Sequence, residues 1–199
     1  MFTLLLYFTG KLSDEEYMII ESMELENFKS FGGKVRIDFR PGFTVITGPN
    51  GSGKSNIGDA MLFVLGIRSS KAIRVDRLPE LVNKSSEDSR VRSCSVTLNL
   101  SYEDEEKNTR KISITREIEI DGETAQSNFY INGSRVRRMD VENFLDSNSI
   151  YLDAYSFVLQ GDINNLTKMT GVERRKLLES IAGIEAYDVK LKEADSYIT

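Results

Sequence analysis

The chain is 199 residues long, with 40% hydrophobic and 29% charged residues, enough to bury one substantial core in the manner of ordinary globular proteins. Acidic residues outnumber basic ones, 31 to 26, for a formal net charge of -5, so attraction to nucleic acid cannot rest on overall charge, although a local basic patch stays open. There is no histidine and a single cysteine, Cys94, which excludes an internal disulfide, removes the commonest zinc ligand and general base, and points to a cytosolic protein without a structural zinc.

The first residues, MFTLLLYFTGKLSDEEYM, hold an apolar run over 2–8, far shorter than the roughly 20 apolar residues that a spanning helix needs. The run also lacks a basic flank and a cleavage site, so it does not read as a signal peptide. Residues 1–18 are expected to form a floppy extension, the usual state of an unanchored terminus, ahead of a first strand at 19–28. A turn over KSFGGK leads to a second strand, VRIDF, running to Arg40, and Pro41-Gly42 turns the chain into a third strand at 43–47.

Ile57, Met61, Leu62 and Leu65 recur at helical spacing, which predicts a helix with one apolar face from Lys54 to a stop near Gly66. The connection that follows, IRSSKAIRVDRLPELVNKSSEDSR, is polar and basic and reads as surface loop. Alternation over 91–100 and 111–120 predicts an antiparallel meander; DGE and YINGSRV supply turns, and Asn132-Gly133 is the strongest hairpin signal. A helix is expected across RRMDVENFLD and a buried strand across YSFVLQGD, ending at Gln160. TGVERRKLLESIAG opens with Thr170 three residues before Glu173, a capping-box pattern, and closes on Gly183. After it Ile184, Tyr187, Leu191, Ala194 and Ile198 form a short a/d seam, which an amphipathic helix or the start of a coiled coil would equally produce.

The strongest pattern is GPNGSGKS at 48–55, a complete G-x-x-x-x-G-K-[ST] between a strand and a helix. Its glycines let the backbone curl so that successive N–H groups point inward at a helix N-terminus, where the dipole favours an anion. Binding of nucleotide phosphates, those of ATP in the reading that the resemblance given below implies, is therefore assigned to Pro49, Asn50, Gly51, Ser52, Gly53, Lys54, Ser55 and Asn56, with Lys54 reaching the terminal phosphates and Ser55 giving its hydroxyl to Mg2+. Cleavage needs more: an oriented water, a further acid at the metal and charge compensation on the transferring group. In P-loop enzymes that acid ends an apolar strand. VRIDF precedes the loop and alternates, IEIDGE sits in the hairpin region and YLDAY is too short, so the chain shows no convincing acid of its own.

LENFKSFGG, GPNGSGKSNIGDAMLFVLG, VLQGDI and ERRKLLESIAGI, in that order and spacing, resemble the N-terminal half of the ATPase head of structural maintenance of chromosomes (SMC) proteins, most closely the prokaryotic kind, from Ile20 onward. The resemblance implies an α/β fold: the N-terminal lobe of a P-loop NTPase of the ABC-ATPase head type, with an antiparallel β subdomain and the start of a coiled-coil helix. It divides the chain into the extension at 1–18, a half-head carrying Walker A, R-loop and Q-loop at 19–183, and coiled coil at 184–199. The C-terminal half of the same head would supply the signature motif, Walker B with its catalytic glutamate, and the switch residue.

Three further site residues follow from the resemblance. Gln160 matches the Q-loop glutamine, which ligates Mg2+ beside Ser55 and helps to position the attacking water. Arg74, in KAIRVD, matches an arginine that reaches the nucleotide phosphates, where a planar guanidinium neutralises developing charge. Lys29, after NF, matches a position that contacts nucleotide from the first hairpin. Lys54, Gln160 and Arg74 are thus the catalytic candidates of this half. The implied partners are the C-terminal half, a second head in a homodimer with ATP sandwiched between the two, kleisin-type accessory subunits and DNA, with no membrane.

The implied setting is the cytoplasm, on the nucleoid, and the implied output is ATP-driven head engagement and DNA entrapment in chromosome condensation and segregation. Arg68, Lys71, Arg74 and Arg77, or Arg135, Arg137 and Arg138, are candidates for DNA phosphates, although solvation or pairing with nearby acids is the favoured account of them, Arg74 apart. Two alternatives share the loop. A coiled-coil ATPase of double-strand-break repair or a RecF/RecN-type protein is disfavoured by VLQGDI and SNIGDAM, and an ABC transporter subunit would carry all its motifs contiguously.

Overall fold

A computed structural model describes residues 4–6, 10–11, 17–40, 42, 44–66, 73–83, 92–103, 106–122, 124–147, 169–172 and 174–175. The chain divides into two compact units, Met1–Tyr151 and Leu152–Thr199. In the first, the described elements are β1 (Leu4–Leu6), β2 (Gly10–Lys11), β3 (Tyr17–Phe28), β4 (Phe31–Asp38), β5 (Thr44–Ile46), α1 (Lys54–Val64), a 3-10 turn at Leu78–Leu81, β6 (Ser93–Glu103), β7 (Thr109–Asp121), β8 (Thr124–Ile131), β9 (Ser134–Val136) and α2 (Arg138–Ser147).

One antiparallel sheet runs in the order β2–β3–β6–β7–β8–β9, with β4 also on β3. Its buried face is written by alternation: Leu25 pairs with Val96, Met23 with Leu98 and Leu98 with Ile114, Ile20 with Leu100 and Leu100 with Ile112, and each of these side chains is buried. A bulge between Ile20 and Ser22 resets the alternation, so that Ile20 and Met23 share one face although three positions apart. Ser22 consequently turns to the other side, where its hydroxyl accepts from Asn99 Nδ2 at 3.0 Å, and the hydroxyls of Thr97 and Thr115 pair at 2.8 Å.

Helix α1 lies against β6 and β7. The single apolar face expected from sequence is too narrow a description: Gly58, Asp59, Ala60, Phe63 and Val64 are buried along with Ile57, Met61 and Leu62, the pattern of a helix enclosed on most sides. Its end is where the sequence places it, with Gly66 at φ +86° and its N–H donating to Phe63 O at 3.1 Å, a glycine doing what a side chain there would resist.

Three local expectations are corrected. Two pieces of the extension are ordered as strands, β1 pairing antiparallel with β5 through Leu4 and Ile46, Leu5 and Val45, and Leu6 and Thr44, and β2 pairing with the start of β3. The KSFGGK turn is shorter than its glycines suggest: the chain reverses at Lys29 and Ser30, Phe28 pairs with Phe31, and Gly32 and Gly33 belong to β4. The polar connection is not merely surface. Ile73, Leu81, Val82 and Asn83 are buried, and Lys29 N donates to Leu81 O while Asn83 N donates to Asn27 O, both at 2.7 Å. Those bonds hold 81–83 along the first hairpin as a short strand-like clip, with Phe28 bridged to Val82.

The meander follows expectation. Asn132 at φ +49° and Gly133 at φ +77° form the two-residue turn between β8 and β9, and α2 opens with Asp140 Oδ2 accepting from Arg137 N at 2.9 Å, a reach-back cap. Every strand pairing among the described residues is antiparallel. In the second unit, Arg174 N donates to Thr170 O at 3.0 Å, where the sequence opens a helix. The expected strand from Tyr155 to Gln160, the capping residue Glu173 and the a/d seam from Ile184 lie outside the described residues. Among the described residues no helix is long and apolar enough to cross a membrane.

Candidate functional site

β5 delivers the chain into residues 47–53, and α1 begins at Lys54. Gly51 at φ +81° and Gly53 at φ +90° occupy backbone conformations that side chains resist. Space is also short at Gly53: a Cβ there would stand 3.0 Å from Ser30 Oγ and 3.4 Å from Phe31 Cζ, because the turn of the first hairpin closes on the loop. Asn56 Nδ2 donates to that same Ser30 Oγ at 2.8 Å, a second tie between hairpin and helix. In the N-cap position Gly53 gives the first-turn amides no side-chain acceptor, which leaves the positive end of the helix facing the loop.

The Lys54 side chain folds back over its own loop. Its ammonium donates to Gly48 O at 2.8 Å, Pro49 O at 2.5 Å and Ser52 Oγ at 3.4 Å. Lys54 is buried while Pro49, Asn50, Gly51, Ser52 and Ser55 are exposed. A buried cation thus sits inside a glycine ring whose rim is open, the chemistry of a phosphate cradle. Of the metal set, Ser55 is the described hydroxyl donor; Gln160 lies outside the described residues. The residues present fit a nucleotide phosphate chain with a Mg2+ ion at Ser55.

Lys29 and Arg74, far apart in sequence, converge on one carboxylate that sequence reasoning missed, Asp59 of α1. Arg74 Nε donates to Asp59 Oδ1 at 3.1 Å and its Nη2 to Oδ2 at 2.7 Å. Lys29 Nζ donates to Asp59 Oδ2 and to Ile73 O, both at 2.5 Å. The Asp59 side chain is 3% exposed, against 11% for Lys29 and 47% for Arg74. An acid in the second turn of a buried helix is the signal that was present in SNIGDAM, since a buried charge demands partners.

At the other end of α1, Arg116 of β7 is buried with no acid paired to it among the described residues. Its Nη1 donates to Phe63 O in the last turn of the helix and its Nε to Ser127 Oγ, each at 2.9 Å, and its guanidinium lies 4.4 Å from the centroid of the Phe63 ring and 4.8 Å from that of Phe129. Burial, and secondarily the charge of Arg138, lowers its pKa to about 10. The basic candidates for DNA split. Arg137 pairs with Asp140 and Arg138 with Glu142, both at 3.2 Å, and Arg135 donates to Asn128 Oδ1 at 2.6 Å. Arg77 is exposed, and Arg68 and Lys71 lie outside the described residues.

The chain is similar to known proteins over most of its length. The RecF/RecN/SMC N terminal domain family matches residues 19–166. The chain is 46% identical over 173 residues to the chromosome partition protein Smc of Thermoplasma acidophilum, covering 87% of this chain and 14% of that protein. It is 42% identical over 179 residues to the Smc protein of Pyrococcus furiosus, covering 88% and 15%. The chain therefore spans about a seventh of the length of these relatives.

Among solved structures, the Smc head domain of Pyrococcus furiosus with an extended coiled coil, bound to the C-terminal domain of ScpA, superposes with a TM-score of 0.76 at 40% identity, over 89% of this chain and 45% of that one. A structure from work on ATP-driven dimerization and DNA-stimulated activation of SMC ATPases gives 0.70 at 40% identity, over 81% of this chain and 98% of that one. The chain belongs to the RecF/RecN/SMC N-terminal domain family and, within it, to the N-terminal half of the SMC head.

Proposed function

We propose that this chain is the ATP-binding half of an SMC head, the N-terminal lobe of an ABC-type P-loop ATPase, and that it works in chromosome condensation and segregation. The observation that carries the reading is the Lys54 ammonium held over the carbonyls of Gly48 and Pro49 at the start of α1. Residues 48–56 take the phosphates, and Lys29 and Arg74, joined through Asp59 of α1, are the further nucleotide contacts. Ser55 and Gln160 hold Mg2+, which when bound neutralises phosphate charge and orders the attacking water.

The division of labour follows from what the two halves carry. The extension at 1–18 precedes the half-head at 19–183, and 184–199 opens the coiled coil. The C-terminal half of the head brings the signature motif, Walker B and the catalytic glutamate. A second head closes on the nucleotide, and engagement and release of the heads trap DNA. A kleisin-type subunit, of the kind seen as ScpA on a related head, is the expected accessory partner, and the setting is the cytoplasm, on the nucleoid.

Titration of the chain with ATP should show weak, Mg-dependent binding that Lys54→Ala removes, with negligible turnover. Co-expression with a C-terminal head half should yield a complex whose ATPase activity, assayed with and without DNA, falls in Gln160→Ala and Arg74→Ala. Appreciable hydrolysis by the chain alone that Lys54→Ala abolishes, or failure of the two halves to associate, would refute the split-head reading.

A further inference from the structure

Building on the nucleotide-binding reading above, the geometry points to Asp59 as a positioning residue: it holds the guanidinium of Arg74 ready for the terminal phosphate of a nucleotide seated in the glycine loop. Asp59 stands five residues after Lys54 on α1, about 7 Å further along the helix axis. Its carboxylate is 3% exposed, and at that depth an ionised acid persists only when its oxygens are taken by cationic donors. Arg74 supplies one donor to each oxygen. The fork engages the Nε and one Nη2 proton and, among the described residues, leaves the Nη1 edge to bond an anion.

The burial is lopsided in a way that a purely stabilising ion pair would not require. Asp59 and Lys29 are enclosed, while the Arg74 side chain is 47% exposed. Two cations on one carboxylate leave a net positive charge on the cluster, and the solvent-facing share of it is on the arginine. Lys29 completes the clamp from the other side, since its ammonium reaches both Asp59 Oδ2 and the carbonyl of Ile73, the residue before Arg74. Ile73 is 2% exposed, and Arg74 itself sits at φ +53°. A non-glycine residue keeps that backbone conformation only where its surroundings over-determine it. Asp59 thus fixes the backbone that carries Arg74 through Lys29, and the guanidinium directly.

The test is nucleotide selectivity in the full chain, measured by calorimetric titration with ATPγS and with ADP in the presence of Mg2+. Arg74→Ala should weaken ATPγS about tenfold while leaving ADP within about twofold, the loss of one charge-assisted contact to the terminal phosphate. Asp59→Asn should reproduce that loss of preference, and the double variant should lose no more than Arg74→Ala alone. Equal weakening of both nucleotides by Asp59→Asn, or losses that add in the double variant, would overturn the proposal.

Circular dichroism establishes whether Asp59→Asn, which deprives a buried Lys29 of its carboxylate, is folded. If it is not, Arg74→Lys takes its place. It keeps the charge but cannot take both carboxylate oxygens, and it should lose most of the preference that Arg74→Ala loses; retention of the parent's preference would overturn the proposal. Lys54→Ala should remove binding of both nucleotides. Should it not, the nucleotide-binding reading fails, a result distinct from any in the Asp59 series.

Discussion

Arg116→Met tests whether a buried, acid-free arginine ties the phosphate-loop helix to the sheet. Methionine matches the length of the aliphatic stem and removes the guanidinium. Two charge-assisted hydrogen bonds are lost, to Phe63 O and Ser127 Oγ, together worth about 4 kcal/mol. The stacking on Phe63 and Phe129 adds about 1.5 kcal/mol. Against these stands the cost of keeping the cation out of water, which lowers its pKa to about 10, a penalty of about 3.5 kcal/mol. The net loss is about 2 kcal/mol, or a fall of about 4–8 °C in melting temperature for a chain of this size.

Thermal and urea unfolding at pH 7 read the Arg116→Met effect directly. The pH dependence carries a sign of its own. Because the folded pKa is lowered, the desolvation cost is fully present below about pH 10 and is relieved as the pH rises above it. The parent should therefore gain on the Met variant across that window. A variant that melts at or above the parent temperature at pH 7 would refute the tether, showing that burial of the charge outweighs its bonds.

Two further predictions concern the sheet. Burial pushes the Cys94 thiol up to about 12, so at pH 8 it is protonated, and a disulfide reagent should label it only as fast as the chain unfolds; stoichiometric labelling within seconds in native buffer would contradict this. The same shift means that the folded state keeps a proton which the unfolded state sheds, so the contribution of Cys94 to stability falls as the pH rises from 9.0 toward 12. Asn132→Ala should cost about 1–2 kcal/mol in urea unfolding, because alanine at φ +49° is strained and the Ser113 amide loses Asn132 Oδ1 as acceptor. Asn132→Gly should be the milder change, and equal losses would assign the effect to the hydrogen bond alone.

The sequence was most legible where local chemistry decides the outcome. Asn132-Gly133 specifies its turn because both residues accept positive φ, and Gly66 ends α1 for the same reason. The meander strands lie close to their predicted positions, with β6 (Ser93–Glu103) and β7 (Thr109–Asp121) shifted only at their ends, since alternation against a buried face leaves little freedom of register. The first hairpin was misjudged because its glycines attracted the turn, while the structure spends them inside β4, where Asn27 Oδ1 accepts from Gly33 N at 2.9 Å. Residues 81–83 looked like loop because their partners, Asn27 and Lys29, are more than fifty positions away, and no local pattern encodes such a bond.

The phosphate loop was readable as a string of residue types. The role of Asp59 was not, since an acid inside an apolar helix acquires meaning only when Lys29 and Arg74 arrive from two other segments. Gln160 and the a/d seam remain expectations of the family resemblance, outside the described residues.

The pairing of Leu4–Leu6 with Thr44–Ile46 has a practical bearing on how the protein is handled. The strand that feeds the phosphate loop is only three residues long, and β1 takes up its backbone hydrogen bonds along one edge. A version begun at Met18 or Met23 would hand that edge to water or to whatever strand came next. A fluorophore or purification handle joined before Phe2 would sit a few residues from the antiparallel partner of the loop strand. The segment ahead of β1 is thus a reporter position for the strand that feeds the glycine loop, and a poor place for an uncontrolled fusion.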